Sequence, residues 1–229
     1  MKKVLLCALV MAAGTAFAQK SNLNKANVAL TAFNANPKEL KYEKLDEAWG
    51  LIQLAMEHPQ TAVMADTWNT AARIQVFYMN KMLNDRNVTG ELDTKKFFEN
   101  QKQIVELYSK CDELEHTPNN KGKLPKEVYR PLNQQVAKGA RANLRNAGGM
   151  LAVSDPDLSI MYINYYNESA KNSIFTGLTD IADPDSVVGD INYYLATAYK
   201  TKGDEENAIV ALGKSLTSKQ YGKFACGEL

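Results

Sequence analysis

The segment that most restricts how this chain can fold is Asn192 to Leu216, NYYLATAYKTKGDEENAIVALGKSL. Leu195, Ala196 and Tyr199 fall at i, i+1 and i+4, on one face of a helix. Gly203 supplies a stop, because glycine takes the left-handed conformation that ends helices at little steric cost. Ala208, Leu212 and Ser215 then mark the inner face of a second helix. Small side chains alternate with large ones on the two faces, so two short helices can pack closely back to back.

A second landmark runs from Leu45 to Tyr78, LDEAWGLIQLAMEHPQTAVMADTWNTAARIQVFY. Ala48, Ile52 and Ala55 form an i, i+4, i+7 stripe. His58-Pro59 should end that helix, since the residue before proline is pushed out of the α region. A new helix is predicted with Trp68 three and four positions ahead of Ala71 and Ala72. These two landmarks, 45–78 and 192–216, resemble tetratricopeptide repeats: the first a B helix followed by an A helix, the second an A–B pair. Proline comes one residue early, and Gln75 stands where the family has tyrosine. The style of HPQT…DTW is similar to exported helical-repeat proteins of Bacteroidetes-type bacteria. The resemblance implies an all-α fold, an α-solenoid of antiparallel helix pairs spanning residues 19–229.

Between the landmarks the pattern weakens. Asn84 to Thr94 is polar and lacks apolar periodicity, which predicts a long loop. Lys95 to Leu114 reads as a helix with Ile104, Tyr108 and Cys111 on its stripe, and Glu115 to Lys123 as a second loop. Lys126 to Leu151 reads as a long helix with Pro131 in its first turn or at a kink, weakened at Gly139 and Gly148-Gly149. Asp155-Pro156-Asp157 and Asp183-Pro184-Asp185 stand 28 residues apart, each followed at the same offset by Ile-Asn-Tyr-Tyr. Aspartate suits an N-cap, proline the first helical position and a second aspartate the positive helix end, so both tripeptides read as helix starts. About eight helices and no strand are expected.

The chain opens MKKVLLCALVMAAGTAFAQ. Lys2 and Lys3 form a basic n-region, Val4 to Ala13 an apolar stretch, and Ala16-Phe17-Ala18 a small-residue cleavage site. Residues 1–18 therefore read as a secretory signal peptide, and a soluble periplasmic product is expected to begin at Gln19. Cys7 follows Leu6 rather than a small residue, which disfavours a lipid anchor. No later stretch has the apolar length to span a bilayer. The whole chain carries 27 basic and 26 acidic residues, and loss of Lys2 and Lys3 leaves it near neutral. Nucleic-acid binding needs a net basic face and is not expected. Export permits a disulfide between Cys111 and Cys226, although residues so far apart in a solenoid fall on different repeats.

No catalytic class is supported. His58 and His116 belong to no HExxH or CxxC pattern, so neither metal nor cofactor is expected. The DPD tripeptides lack the alternating carboxylates and terminal glutamate of a calcium loop. There is no G-x-S-x-G elbow, and Gly148-Gly149 has no lysine or serine in phosphate-loop register.

Six of the eleven tyrosines lie between Tyr162 and Tyr199, some expected in the core and the rest available to a binding groove. In tetratricopeptide proteins the A helices line the concave face. The resemblance implies groove positions at Asn69 and Arg73 after Trp68, Arg145 and Gly149 after Leu144, and Tyr193 and Thr197 after Asn192. No pair carries the lysine and asparagine with which the family clamps acidic chain ends. The expectation is a non-enzymatic scaffold that holds a protein or peptide. The alternative is a glycan- or nutrient-binding protein tied to outer-membrane uptake. The meagre segment after Leu216 leaves an apolar C-terminal edge that a second copy could cover, unless Tyr221 and Phe224 fold back to seal it.

Overall fold

A computed structural model describes residues 20–35, 41–118, 122–124, 128–181 and 185–228. The signal-peptide reading of residues 1–18 and the start of the second tripeptide, Asp183-Pro184, lie outside these. The described residues form nine α-helices, one more than the sequence count, and no strand. They are α1 (20–35), α2 (Tyr42–Glu57), α3 (Ala65–Thr89), α4 (Thr94–Glu115), α5 (Arg130–Leu151), α6 (Pro156–Ser169), α7 (Asp185–Lys202), α8 (Glu205–Ser215) and α9 (Gly222–Glu228), with a 3-10 turn at Ser173–Phe175. The chain divides into two compact units, with Glu106–Arg130 assigned to the first and Asp93–Val105 to the second, so that α4 contributes to both.

In the first unit, Leu23, Leu30 and Phe33 of α1, Leu45, Ala48, Ile52 and Ala55 of α2, and Ala71, Ala72 and Ile74 of α3 are buried. The link from α2 to α3 shows why HPQT…DTW is a structural motif. His58 takes extended backbone and stops α2. The buried Thr61 hydroxyl then donates to the Ala55 carbonyl at 2.5 Å, covering a carbonyl that the helix end leaves open. Thr67 donates to the Thr61 carbonyl at 2.8 Å, and the Trp68 indole N–H to the Ala62 carbonyl at 2.7 Å. Three side chains thus hold a seven-residue turn in one geometry.

The loop expected from Asn84 to Thr94 is shortened to residues 90–93 by α3, which continues to Thr89. Its last turns are solvated, so they show no apolar stripe. An i, i+4 Lys81–Asp85 pair at 2.5 Å, Arg86 in the last turn and Gly90 in the left-handed conformation (φ 78°) with its N–H on the Arg86 carbonyl sustain and end it. Helix α5 likewise starts at Arg130, four residues later than the sequence suggests. The amides of Val128 and Tyr129 are held by Oε1 of the buried Glu115, at 3.1 and 3.2 Å, outside any helical ladder. Arg130 then makes a two-pronged contact with the buried Asp112, at 2.5 and 2.7 Å. Cys111 is buried beside this clamp in sequence, and Cys226 is exposed on α9.

In the second unit, α5 runs unbroken through Gly148 and Gly149. The glycines admit close neighbours rather than weakening the helix: a β-carbon on Gly148 would stand 2.9 Å from Ile163 Cγ1 and 3.3 Å from Tyr194 Cβ. The Ser159 hydroxyl reaches the Gly148 carbonyl at 3.0 Å, which ties α6 to α5. Asp155 caps α6 by accepting from the Leu158 amide, with Pro156 in the first turn, as the tripeptide predicts. Lys95 also pairs with Asp155 at 2.5 Å. Arg141 is buried with its guanidinium 3.8 Å from the centre of the Tyr166 ring, and its Nε donates to the Tyr166 carbonyl. Gly203 (φ 76°) turns α7 into α8, Asp204 caps α8 on the Asn207 amide, and Leu195, Ala196, Ala208, Leu212 and Ser215 are all buried. Tyr162 and Tyr166 are core residues, whereas Tyr199, expected with them, is half-exposed.

Candidate binding surface

Helix α7 carries Tyr193, Thr197 and Lys200 at i, i+4 and i+7, one continuous face. Thr197 donates to the Tyr193 carbonyl at 3.0 Å, and both side chains are half-exposed. Next to Tyr193, Tyr194 points toward α5, where its ring lies 3.2 Å from the space a Gly149 side chain would take. Only a residue without a β-carbon lets an aromatic ring approach helix backbone so closely. Arg145, one turn earlier on α5 and half-buried, lies near enough to favour the Tyr194 phenolate electrostatically. Burial, and then the hydrogen bond with Tyr221, outweigh it and push the Tyr194 phenol up to about 12.

The third tyrosine comes from the chain after α8. Ser218 directs it: its buried hydroxyl donates to Asp190 on α7 and accepts from the amides of Tyr221, at 2.8 Å, and Gln220, at 3.2 Å. Gly189 makes room, because a β-carbon there would stand 2.7 Å from the Ser218 Cα. The turn sends Tyr221 back over α7. Its ring lies parallel to Tyr193, 4.5 Å between centroids and 2° between planes, and edge-on to Tyr194 at 5.6 Å. Gln220 donates to the Tyr221 hydroxyl at 2.8 Å. Helix α9 then brings Glu228 to Lys200 at 2.5 Å and to the Tyr193 hydroxyl at 3.3 Å. Burial, followed by the Glu228 charge, raises the Tyr193 phenol above its ordinary value. The phenols of Tyr193 and Tyr194 are therefore neutral at neutral pH.

The edge thus takes a mixed form. Tyr221 folds back, while Phe224 on α9 stays 64% exposed. The resulting surface contains two flat aromatic rings in contact, a third edge-on, and charges of both signs from Arg145, Lys200 and Glu228. It can offer contact area to apolar groups and hydrogen bonds to polar ones.

Of the groove positions expected from sequence, Arg145, Gly149, Tyr193 and Thr197 lie on this unit, with Arg145, Gly149 and Tyr193 each touching or facing the tyrosine cluster. Asn69 and Arg73 belong to the other unit, where Asn69 is buried and Arg73 exposed. Arg73 sits close enough to Tyr108 to act on its phenol, which burial raises to about 12. Tyr194, Lys200 and Glu228 were not singled out from sequence, and Tyr221 was named only as a ring that could fold back over the C-terminal edge. Lys200 could have been found from its i+7 spacing to Tyr193. The stacking of Tyr221 on Tyr193 could not, because it depends on one serine hydroxyl.

Comparison with protein-family models, with curated proteins and with solved structures gives no match. Among the described residues no helix is long and apolar enough to cross a membrane.

Proposed function

We propose that this protein is an exported, non-catalytic helical-repeat scaffold of tetratricopeptide type, which binds a protein or peptide on the α5–α7 surface. The observation that carries the reading is the stacked, half-exposed Tyr193–Tyr221 pair beside Tyr194 and Arg145. Tyrosine and arginine dominate the residues that supply binding energy at protein interfaces, because they give large contact area and directed hydrogen bonds from few rotatable bonds. Paired helices joined by tight turns support the repeat architecture. The glycines of α5 support a surface on which α7 side chains lie flat against a neighbouring helix. Periplasmic residence rests on the three-part N-terminus, and intact-mass measurement of the exported protein should show Gln19 as its first residue.

Panning residues 19–229 against a displayed peptide library tests the reading. Enrichment of a common motif is expected, with affinity falling about tenfold or more in Tyr193→Ala and in Arg145→Ala. Retention on a glycan array without peptide enrichment, or peptide binding indifferent to both changes, would replace the scaffold with the nutrient-binding alternative or relocate the site.

A further inference from the structure

Helix α8 has two faces of different character. Ala208, Ala211, Leu212 and Ser215 point inward and are buried. On the outer face, Glu206, Ile209, Gly213 and Leu216 follow one another at spacings of three, four and three residues, with Val210 and Lys214 alongside, and every one of these six is exposed. Ile209 is 57% exposed, Val210 53% and Leu216 46%. Three neighbouring aliphatic side chains on an outward face, at the spacing of a helix–helix seam, form an apolar strip that a second helix can cover. A β-carbon at Gly213 would meet nothing within 4 Å, so no intrachain contact requires that glycine. In a helix interior it lowers stability relative to alanine.

We propose that this face of α8 binds the same face of a second copy, antiparallel, about a two-fold axis crossing the helix between Val210 and Ala211. The pattern is self-complementary. Glu206 lies one turn before Val210 and Lys214 one turn after it. A two-fold axis there faces each copy's Glu206 with the other's Lys214, level to within about 1.5 Å along the helix. The same operation sets Ile209 of each copy over the gap at Gly213 of the other, where a missing β-carbon lets the helices approach. A parallel arrangement would instead oppose like charges at both ends. An isologous contact of this kind closes at two copies and does not propagate into a filament. The contact uses no residue of the Tyr193–Tyr221 surface, so dimerisation and ligand binding are tested by different substitutions.

Sedimentation of the Cys226→Ser chain from micromolar to millimolar concentration is the experiment, since removing the exposed thiol prevents a disulfide from producing the same mass. A reversible dimer is expected. Val210→Glu sets two carboxylates against each other at the axis and should raise the dissociation constant at least about tenfold. Glu206→Lys and Lys214→Glu should each weaken the dimer by about the same factor, and the double exchange Glu206→Lys/Lys214→Glu should return it to within about threefold of the parent. Both charged residues are fully outside the core, so the exchange reports pairing and not folding. A monomer throughout the range, a dimer indifferent to Val210→Glu, or a double exchange as weak as the single changes would each overturn the proposal.

Discussion

The backbone of Ser218 crosses α7 at Gly189, so close that a β-carbon on the glycine would stand 2.7 Å from the Ser218 Cα. That contact places the Ser218 hydroxyl on Asp190 and, through the Tyr221 amide, sets the last aromatic ring on the candidate surface. The neighbour is backbone and cannot rotate away. Gly189→Ala should therefore destabilise the protein by about 1–3 kcal/mol despite alanine's better helix propensity. Gly139, also helical but with nothing within 4 Å, is the control. Gly139→Ala should gain up to about 1 kcal/mol. Denaturant melts of the two variants should move in opposite directions.

Ser218→Ala removes a buried hydroxyl that donates once and accepts twice. It should cost about 1–3 kcal/mol by leaving the turn amides less well satisfied. The more specific outcome is local: α9 should become open to protease before the rest of the chain, because the turn that delivers it is gone. Limited proteolysis followed by mass measurement checks this, and cleavage no earlier than in the parent would mean that the Tyr221 stack holds α9 by itself.

Asp112 is buried and its two oxygens are taken by Arg130. Arg130→Met should cost about 3–5 kcal/mol, since it removes the two-pronged guanidinium contact from a buried carboxylate. Asp112→Asn in the same background should recover part of the loss by removing the charge. A thermal melt in which the double variant is no better than Arg130→Met would show that packing of the guanidinium, not charge, is what the site needs.

Tyr108, Tyr129, Tyr162 and Tyr194 each have phenols raised to about 12 from 10.0, with burial the largest cause in every case. The folded state favours the neutral phenol, so the associated stability is complete below pH 10 and is lost as pH rises from there through 12. Phenolate absorbance should therefore appear late and together with loss of helix by circular dichroism. Titration of every phenol near pH 10 with helix intact would contradict the burial of these four side chains.

Asp155 behaves in the opposite sense. The Lys95 ammonium, joined by the Leu158 amide, holds its carboxyl below the usual carboxylate range. Its contribution is present at neutral pH and is lost as pH falls through that lowered value. Asparagine can still cap a helix but does not titrate. Asp155→Asn should give a melting temperature that falls less between pH 7 and pH 3 than that of the parent.

The helices were legible where one face is buried and a stop signal follows. Ala48, Ile52 and Ala55, Ile104, Tyr108 and Cys111, and Ala208, Leu212 and Ser215 all occupy the buried faces their spacing requires. His58-Pro59, Gly203 and the Asp155-Pro156-Asp157 start act through backbone conformation within a few residues, so local sequence is enough to determine them. Solvated segments were not legible. The end of α3 is held by a surface ion pair and a glycine cap, neither of which leaves an apolar period.

What the amino-acid order determined by itself is therefore the all-helical class, the two clearest helix pairs and the kind of residue available on α7. Only the tertiary structure decided which of those residues meet. Gly148 and Gly149 look like helix breakers until Ile163 and Tyr194 are seen to occupy the space beside them. Tyr221 looks like an unplaced aromatic until Ser218 and Asp190, 28 residues apart, turn it onto Tyr193. Local rules describe how a residue biases its own backbone. Contacts between distant residues depend on how helices pack, and that is set by the volume of side chains that no short window contains.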